Sequence, residues 1–215
     1  MAAVTPQTRR RTACGDDLAA AACVAGRFDQ LLGSGSVTGR AWAPGRPNGH
    51  GYGSEDRDEP AVGEPDTTMI RIGQGIELSQ RGERDAAREL FAEVWSDIGG
   101  EAAGDPLHRC ALAHSMADVQ DDVDEELLWD LRALAAADWL IDERVADAGV
   151  PSPVAGFYPS LHLNLGECYR KLGDLDRARE HLQRGREAVG SLGDDGYGRM
   201  IKGGLDRLAD RLVSA

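Results

Sequence analysis

From Thr67 to the C-terminus, apolar residues recur at intervals of three and four, and Gly, Asp and Pro interrupt them at regular stations. That period belongs to helices with one buried face. Nothing between 67 and 215 alternates as a strand would, so the expected fold class is all-α. The pattern predicts seven helices, over 68–81, 84–98, 106–119, 123–147, 159–172, 175–190 and 197–213. Asp105 precedes Pro106, a capping side chain before a residue whose missing N–H costs nothing in a first turn. Asp122 with Glu125 three residues on resembles a capping box. Gly82 and Gly173 suit the left-handed residue that closes a helix.

Two of these helical pairs are copies of one another. Aligning Gly82 with Gly173 places Gly75 on Gly166, Leu78 on Tyr169, Ala87 on Ala178 and Phe91 on Leu182. A mid-helix glycine costs about 1 kcal/mol relative to alanine, which makes sense where a second helix must come close. Ala87 and Ala178 present small side chains to the same contact, and Tyr169 and Leu182 fill the space between hairpins. Such a unit has to stack on neighbours to bury its face.

Leu165-Gly166, Tyr169, Gly173, Ala178 and Leu182 resemble the tetratricopeptide repeat, a helix–turn–helix unit of about 34 residues. The later copy matches it well and the earlier one fairly; His162 stands where that family often has Trp, and Gly190 where it often has Pro. The middle hairpin, 106–147, departs further, since its turn at Gln120-Asp121-Asp122 has no glycine. The chain is similar to small bacterial proteins that carry few such repeats. The resemblance covers 68–190 and implies a right-handed stack of antiparallel hairpins, an α-solenoid, with 197–213 as the amphipathic capping helix that such arrays need.

Residues 1–66 follow different physics. They hold ten Gly and five Pro, and Arg40–Pro65 has neither helical nor strand period. With so few large apolar groups, the segment cannot offset the ~1–2 kcal/mol per residue that ordering a backbone costs. It is expected to be disordered, ahead of a helical-repeat domain over 67–215. Three accounts of it stay open: a targeting leader (Arg9-Arg10-Arg11 before an Ala-rich run, broken by Asp16 and Asp17), an unstructured tail, or upstream sequence with Met69 as the initiator.

Composition narrows the function classes. The net charge of -13, from 37 acids against 24 bases, argues against nucleic-acid binding, which needs clustered cations. No apolar run approaches the ~20 residues of a membrane span. Four cysteines, Cys14, Cys23, Cys110 and Cys168, are too scattered for a disulfide scaffold or a paired-Cys metal site, so a cytoplasmic setting is expected. Only Lys171 and Lys202 are lysines, a skew that fits GC-rich coding.

In the repeat family the first helix of each hairpin lines a concave groove that holds peptides or proteins. The resemblance therefore implies a partner-binding face made of Ile72, Ile76, Ser79 and Gln80 from the first hairpin. Ala111, Ser115 and Asp118 would come from the second, and Leu163, Asn164, Glu167, Arg170 and Lys171 from the last. Asn164 stands where chaperone-binding members hold a peptide backbone, but a full cationic clamp is missing.

Other clusters have simpler readings. The acids Asp118, Asp121, Asp122, Asp124, Glu125 and Glu126 gather near a helix start, where capping and the macrodipole favour carboxylates; no metal ligand set is read there. His108 and His114, six apart, cannot share a helix face, and Cys110 and Cys168 read as small hydrophobes. No catalytic residue and no cofactor emerge. The expected function is a non-enzymatic scaffold that binds a protein or peptide through its groove, the alternative being a small-ligand-sensing regulatory domain detached from its effector.

Overall fold

A computed structural model describes residues 66–148 and 153–215. Among these residues there are eight α-helices and no strand. They are α1 (Thr67–Gln80), α2 (Arg84–Asp97), α3 (Pro106–Ala117), α4 (Val123–Ala137), α5 (Asp142–Asp147), α6 (Tyr158–Leu172), α7 (Leu175–Ala188) and α8 (Gly196–Val213). The expectations for residues 1–65 lie outside the described residues.

The helix boundaries arise where local chemistry put them. The Asp105 carboxylate accepts from the Leu107 and His108 N–H groups, with Pro106 in the first turn. Asp122 accepts from Asp124 and Glu125, and Asp174 from Arg177. Gly82 and Gly173 both take positive φ, +82° and +83°. Their turns share one hydrogen-bond pattern: Gly82 N–H to Ser79 and Glu83 N–H to Leu78, then Gly173 N–H to Arg170 and Asp174 N–H to Tyr169. The two sequence copies thus close with the same turn, in which the last orphan carbonyls are satisfied.

One long helix was expected over 123–147, and it is broken. α4 ends at Ala137, Ile141 is extended (φ −123°, ψ 147°), and α5 restarts at Asp142. At 100° per residue, Val145 in a continuous helix would point about 120° away from Ala133. The break turns it inward, and both are buried. It also aims Arg144 at two helix starts: its guanidinium donates to Asp105, the cap of α3, at 2.5 Å and to Asp66, the cap of α1, at 3.3 Å. Asp66 also meets His108 at 2.7 Å. Burial works to raise the Asp66 and Asp105 carboxyls. The hydrogen bonds from His108, Arg144 and the Met69 and Leu107 N–H groups outweigh it and hold both below the ordinary carboxylate range.

The helices pair as antiparallel hairpins α1–α2, α3–α4 and α6–α7; α4 also packs along α6, and α8 lies against α6 and α7. One apolar cluster, with Ile72, Ile76, Phe91, Leu107, Leu112 and Val145, joins the front helices. A second, with Leu163, Leu182, Ile201, Leu205 and Leu208, lies between α6, α7 and α8.

The mid-helix glycines are places of close approach, but the expected alanine contacts are only part of the account. A Cβ on Gly75 would lie 2.2 Å from the Phe91 ring. One on Gly166 would lie 2.6 Å from a Leu208 methyl of α8 and 3.5 Å from the Ala178 carbonyl oxygen. Bulk from the partner helix and from α8 occupies the room that glycine leaves, while Ala87 and Ala178 are fully enclosed beside it.

Candidate functional site

Three helices each bring a pair of polar side chains four residues apart to one enclosed place. His114 and Asp118 come from α3 and its cap, Glu126 and Asp130 from α4, and Asn164 and Cys168 from α6. A four-residue spacing stacks both members on one helix face, so three such pairs facing one another make a continuous polar seam.

Asp130 is its centre, with 0% of its surface exposed. Its Oδ1 lies 3.1 Å from His114 Nδ1 and accepts from Asn164 Nδ2 at 3.5 Å. Its Oδ2 accepts from the Cys168 thiol at 3.7 Å. Asn164 Nδ2 also lies 3.4 Å from His114 Nδ1. At the outer edge, Lys171 Nζ donates to both Glu126 oxygens, at 3.1 and 3.0 Å. His114 Nε2 is buried and finds no hydrogen-bond partner among the described residues.

The electrostatics are those of crowded anions. Burial, then the Asp130 and Glu126 charges, push the Asp118 carboxyl well above its ordinary value. Burial raises Glu126 as well, against the pull of Lys171. Burial with the nearby Asp130 and Glu126 raises the Cys168 thiol, the reverse of what a thiolate nucleophile needs. Enclosing like charges is expensive unless partners repay it, so this seam is an unusual use of a helical interior.

The residues assigned to a partner-binding face have varied fates. Ile72, Ile76 and Leu163 are buried in the apolar clusters. Ala111 is buried too, and Ser115 is enclosed, its hydroxyl donating to the Ala111 carbonyl. Asn164 and Asp118 belong to the polar seam. Glu167 is buried between two guanidinium groups, accepting from Arg170 and Arg211 at 2.7 Å each. Lys171 is held by Glu126. Ser79 is half-buried and Gln80 exposed. In the described structure, then, packing and internal pairing occupy most of this set.

The acid run read as a helix-start cluster divides in two. Asp122 caps α4, and Asp121 pairs with Arg88 at 2.9 Å. Asp118 and Glu126 instead join the seam, so macrodipole and capping explain only part of the run. Sequence reasoning read Glu126 as part of a helix-start acid run and Cys168 as a small hydrophobe, gave His114 no partner, and did not single out Asp130. The available signal was the repeated four-residue spacing, together with an aspartate set between Trp129 and Leu131.

A second buried pair lies across the last hairpin. His162 Nδ1 and His181 Nδ1 are 3.1 Å apart, and the Tyr169 ring stacks on His181 with centroids 5.4 Å apart. Burial and the neighbouring His181 lower His162 to about 4; burial lowers His181 also.

No family model matches the chain, and no curated protein or solved structure does either. Any functional reading therefore rests on the chain's own residues. No helix among the described residues is long and apolar enough to cross a membrane.

Proposed function

We propose that the protein is a helical-repeat interaction module of the tetratricopeptide kind, a right-handed stack of hairpins that binds a protein or peptide partner. The shared turns at Gly82 and Gly173 support the repeat reading. The observation that carries the binding reading is a row of exposed apolar side chains on α4 and the break after it. Leu128 and Leu131 are exposed, Trp139 is 74% exposed and Ile141 59%. Leu128, Leu131 and Ala135 fall at i, i+3 and i+7, one side of a helix. Exposed apolar side chains gathered along one segment and rimmed by charge are characteristic of a contact site, and tryptophan is among the residue types that most often anchor one. Exposed Asp124, Glu125, Asp138, Asp142 and Glu143 lie along the same segment. The fitting partner is a segment with apolar anchors flanked by Lys or Arg.

Probing the full chain against an array of such peptides, followed by titration of the best binders, tests this. Trp139→Ala and Leu131→Ala are each expected to weaken binding by tenfold or more, on the order of the 2 kcal/mol of an anchor residue. Equal binding by both variants and the parent chain would overturn it. A second reading, a domain that senses a small ligand, is favoured by the polar seam; a saturable rise in melting temperature on ligand addition, unchanged by Trp139→Ala, would support it instead.

A further inference from the structure

The carboxylates of Glu126 and Asp130 and the thiol of Cys168 each offer a ligand atom, and these atoms all lie within 4.8 Å of one another. Glu126 and Asp130 stand one helical turn apart on α4, and Cys168 faces them from α6. Asp130 is already oriented: His114 and Asn164 hold Oδ1, which leaves Oδ2 turned toward Cys168. Outer hydrogen bonds to one oxygen of a carboxylate are what fix its other oxygen as a ligand.

A second observation comes from α3. The His114 side chain is only 5% exposed, and its Nε2 meets no partner among the described residues. Its Nδ1 is the ring nitrogen that meets Asp130 Oδ1, so Nε2 is enclosed on the far side of the ring without a partner among the described residues. Leaving it unused costs about 1–3 kcal/mol. The seam gathers Asp118, Glu126, Asp130 and a thiol against Lys171, which pairs with Glu126, and Arg84, which acts on Asp118 from its edge, and so holds more acids than bases.

We infer that Glu126, Asp130 and Cys168 are the protein ligands of a divalent cation of the zinc class. Two carboxylate oxygens and one sulfur suit a borderline metal better than calcium or magnesium, which take oxygen alone. Three protein ligands leave a fourth position for water or an incoming donor. Zinc bonds of about 2.0–2.3 Å place tetrahedral donors roughly 3.3–3.7 Å apart, so side-chain adjustments of about 1 Å close the site. Lys171, whose side chain is 25% exposed, releases one Glu126 oxygen toward the ion. The Cys168 thiol gives its proton to solvent as the metal–sulfur bond forms, and the cation reverses the local pressure toward protonated acids. The inference is independent of the α4 surface, so a failed peptide screen leaves it standing.

The test uses the reduced, metal-stripped full chain. Titration with Zn2+ in calorimetry, and with Cd2+ followed by the ultraviolet cadmium–thiolate absorption, is expected to give one ion per chain with a proton released. Cys168→Ser should remove the absorption, and Glu126→Gln should weaken binding about tenfold or more. The Cys14→Ser/Cys23→Ser double variant and Cys110→Ser should keep both signals. Circular dichroism confirms that each variant is folded, and Glu126→Gln decides the matter should Cys168→Ser fail to fold. Affinity weaker than ~1 mM, absorption that survives in Cys168→Ser, or absorption lost only with Cys14 and Cys23 would overturn the site.

Discussion

Asp130 Oδ1 and His114 Nδ1 meet 3.1 Å apart in the interior, joining α4 to α3 where neither side chain reaches solvent. Removing one member of an enclosed pair leaves the other unsatisfied. Asp130→Ala therefore strips a partner from His114, Asn164 and Cys168 together. The expected loss is about 3–5 kcal/mol, measured by urea unfolding with the slope held constant. A loss below ~1 kcal/mol would show that the seam is wet and loosely bound.

Asp118→Asn is expected to act in the opposite direction. A carboxyl whose folded value is raised contributes stability below its unfolded value of about 3.8 and loses it as pH rises through the folded value. Ionising the wild-type carboxyl beside Asp130 and Glu126 is a burden that the unfolded chain does not carry. The amide should stabilise the fold by about 0.5–2 kcal/mol at pH 7, with the gain shrinking below pH 4. Melting curves across that range check the sign, and a destabilised variant at pH 7 would refute the crowding argument.

The His162–His181 pair gives a distinct acid response. Both groups have lowered values in the fold, His162 to about 4 from 6.5. The stability they hold is complete above pH 6.5 and is lost as pH falls from there toward 4, because the unfolded chain takes up protons first. The melting temperature should decline over that window, and less in His162→Gln. An identical decline in the variant would place the sensitivity elsewhere, with Asp66 and Asp105 acting only at lower pH because their values are depressed.

Gly75→Ala tests the tight spot in the first hairpin. Its Cβ would fall 2.2 Å from the Phe91 ring, which is fully enclosed and has little room to retreat. Overpacking of this kind costs about 1–3 kcal/mol, against the ~1 kcal/mol that alanine normally gains in a helix. Gly190→Ala, which meets nothing within 4 Å, is the matched control. Equal unfolding midpoints for the two would refute the packing account.

The helices and their ends were legible because their causes are local. Asp105 with Pro106, Asp122, Gly82 and Gly173 each act within one turn, and each does what its residue type suggests. The break at 138–141 was hidden because Trp139, Leu140 and Ile141 continue the apolar pattern. What stops the helix is the gain from burying Val145 and pairing Arg144 with residues far away in sequence. The polar seam was hidden for a related reason. Asp130 sits between large apolar neighbours as any surface aspartate on an amphipathic helix could, and only the arrival of α3 and α6 converts it into an interior group. Asn164 was expected to face a peptide in the groove; its amide lies beside His114 and Asp130.

Arg144 reaches across 78 positions to Asp66 and across 39 to Asp105. One guanidinium thereby latches the beginnings of α1 and α3, and it hangs on a helix of only six residues. Unwinding that single turn and a half would release both anchors at once, so the front of the molecule should fray as a pair of helices rather than one at a time.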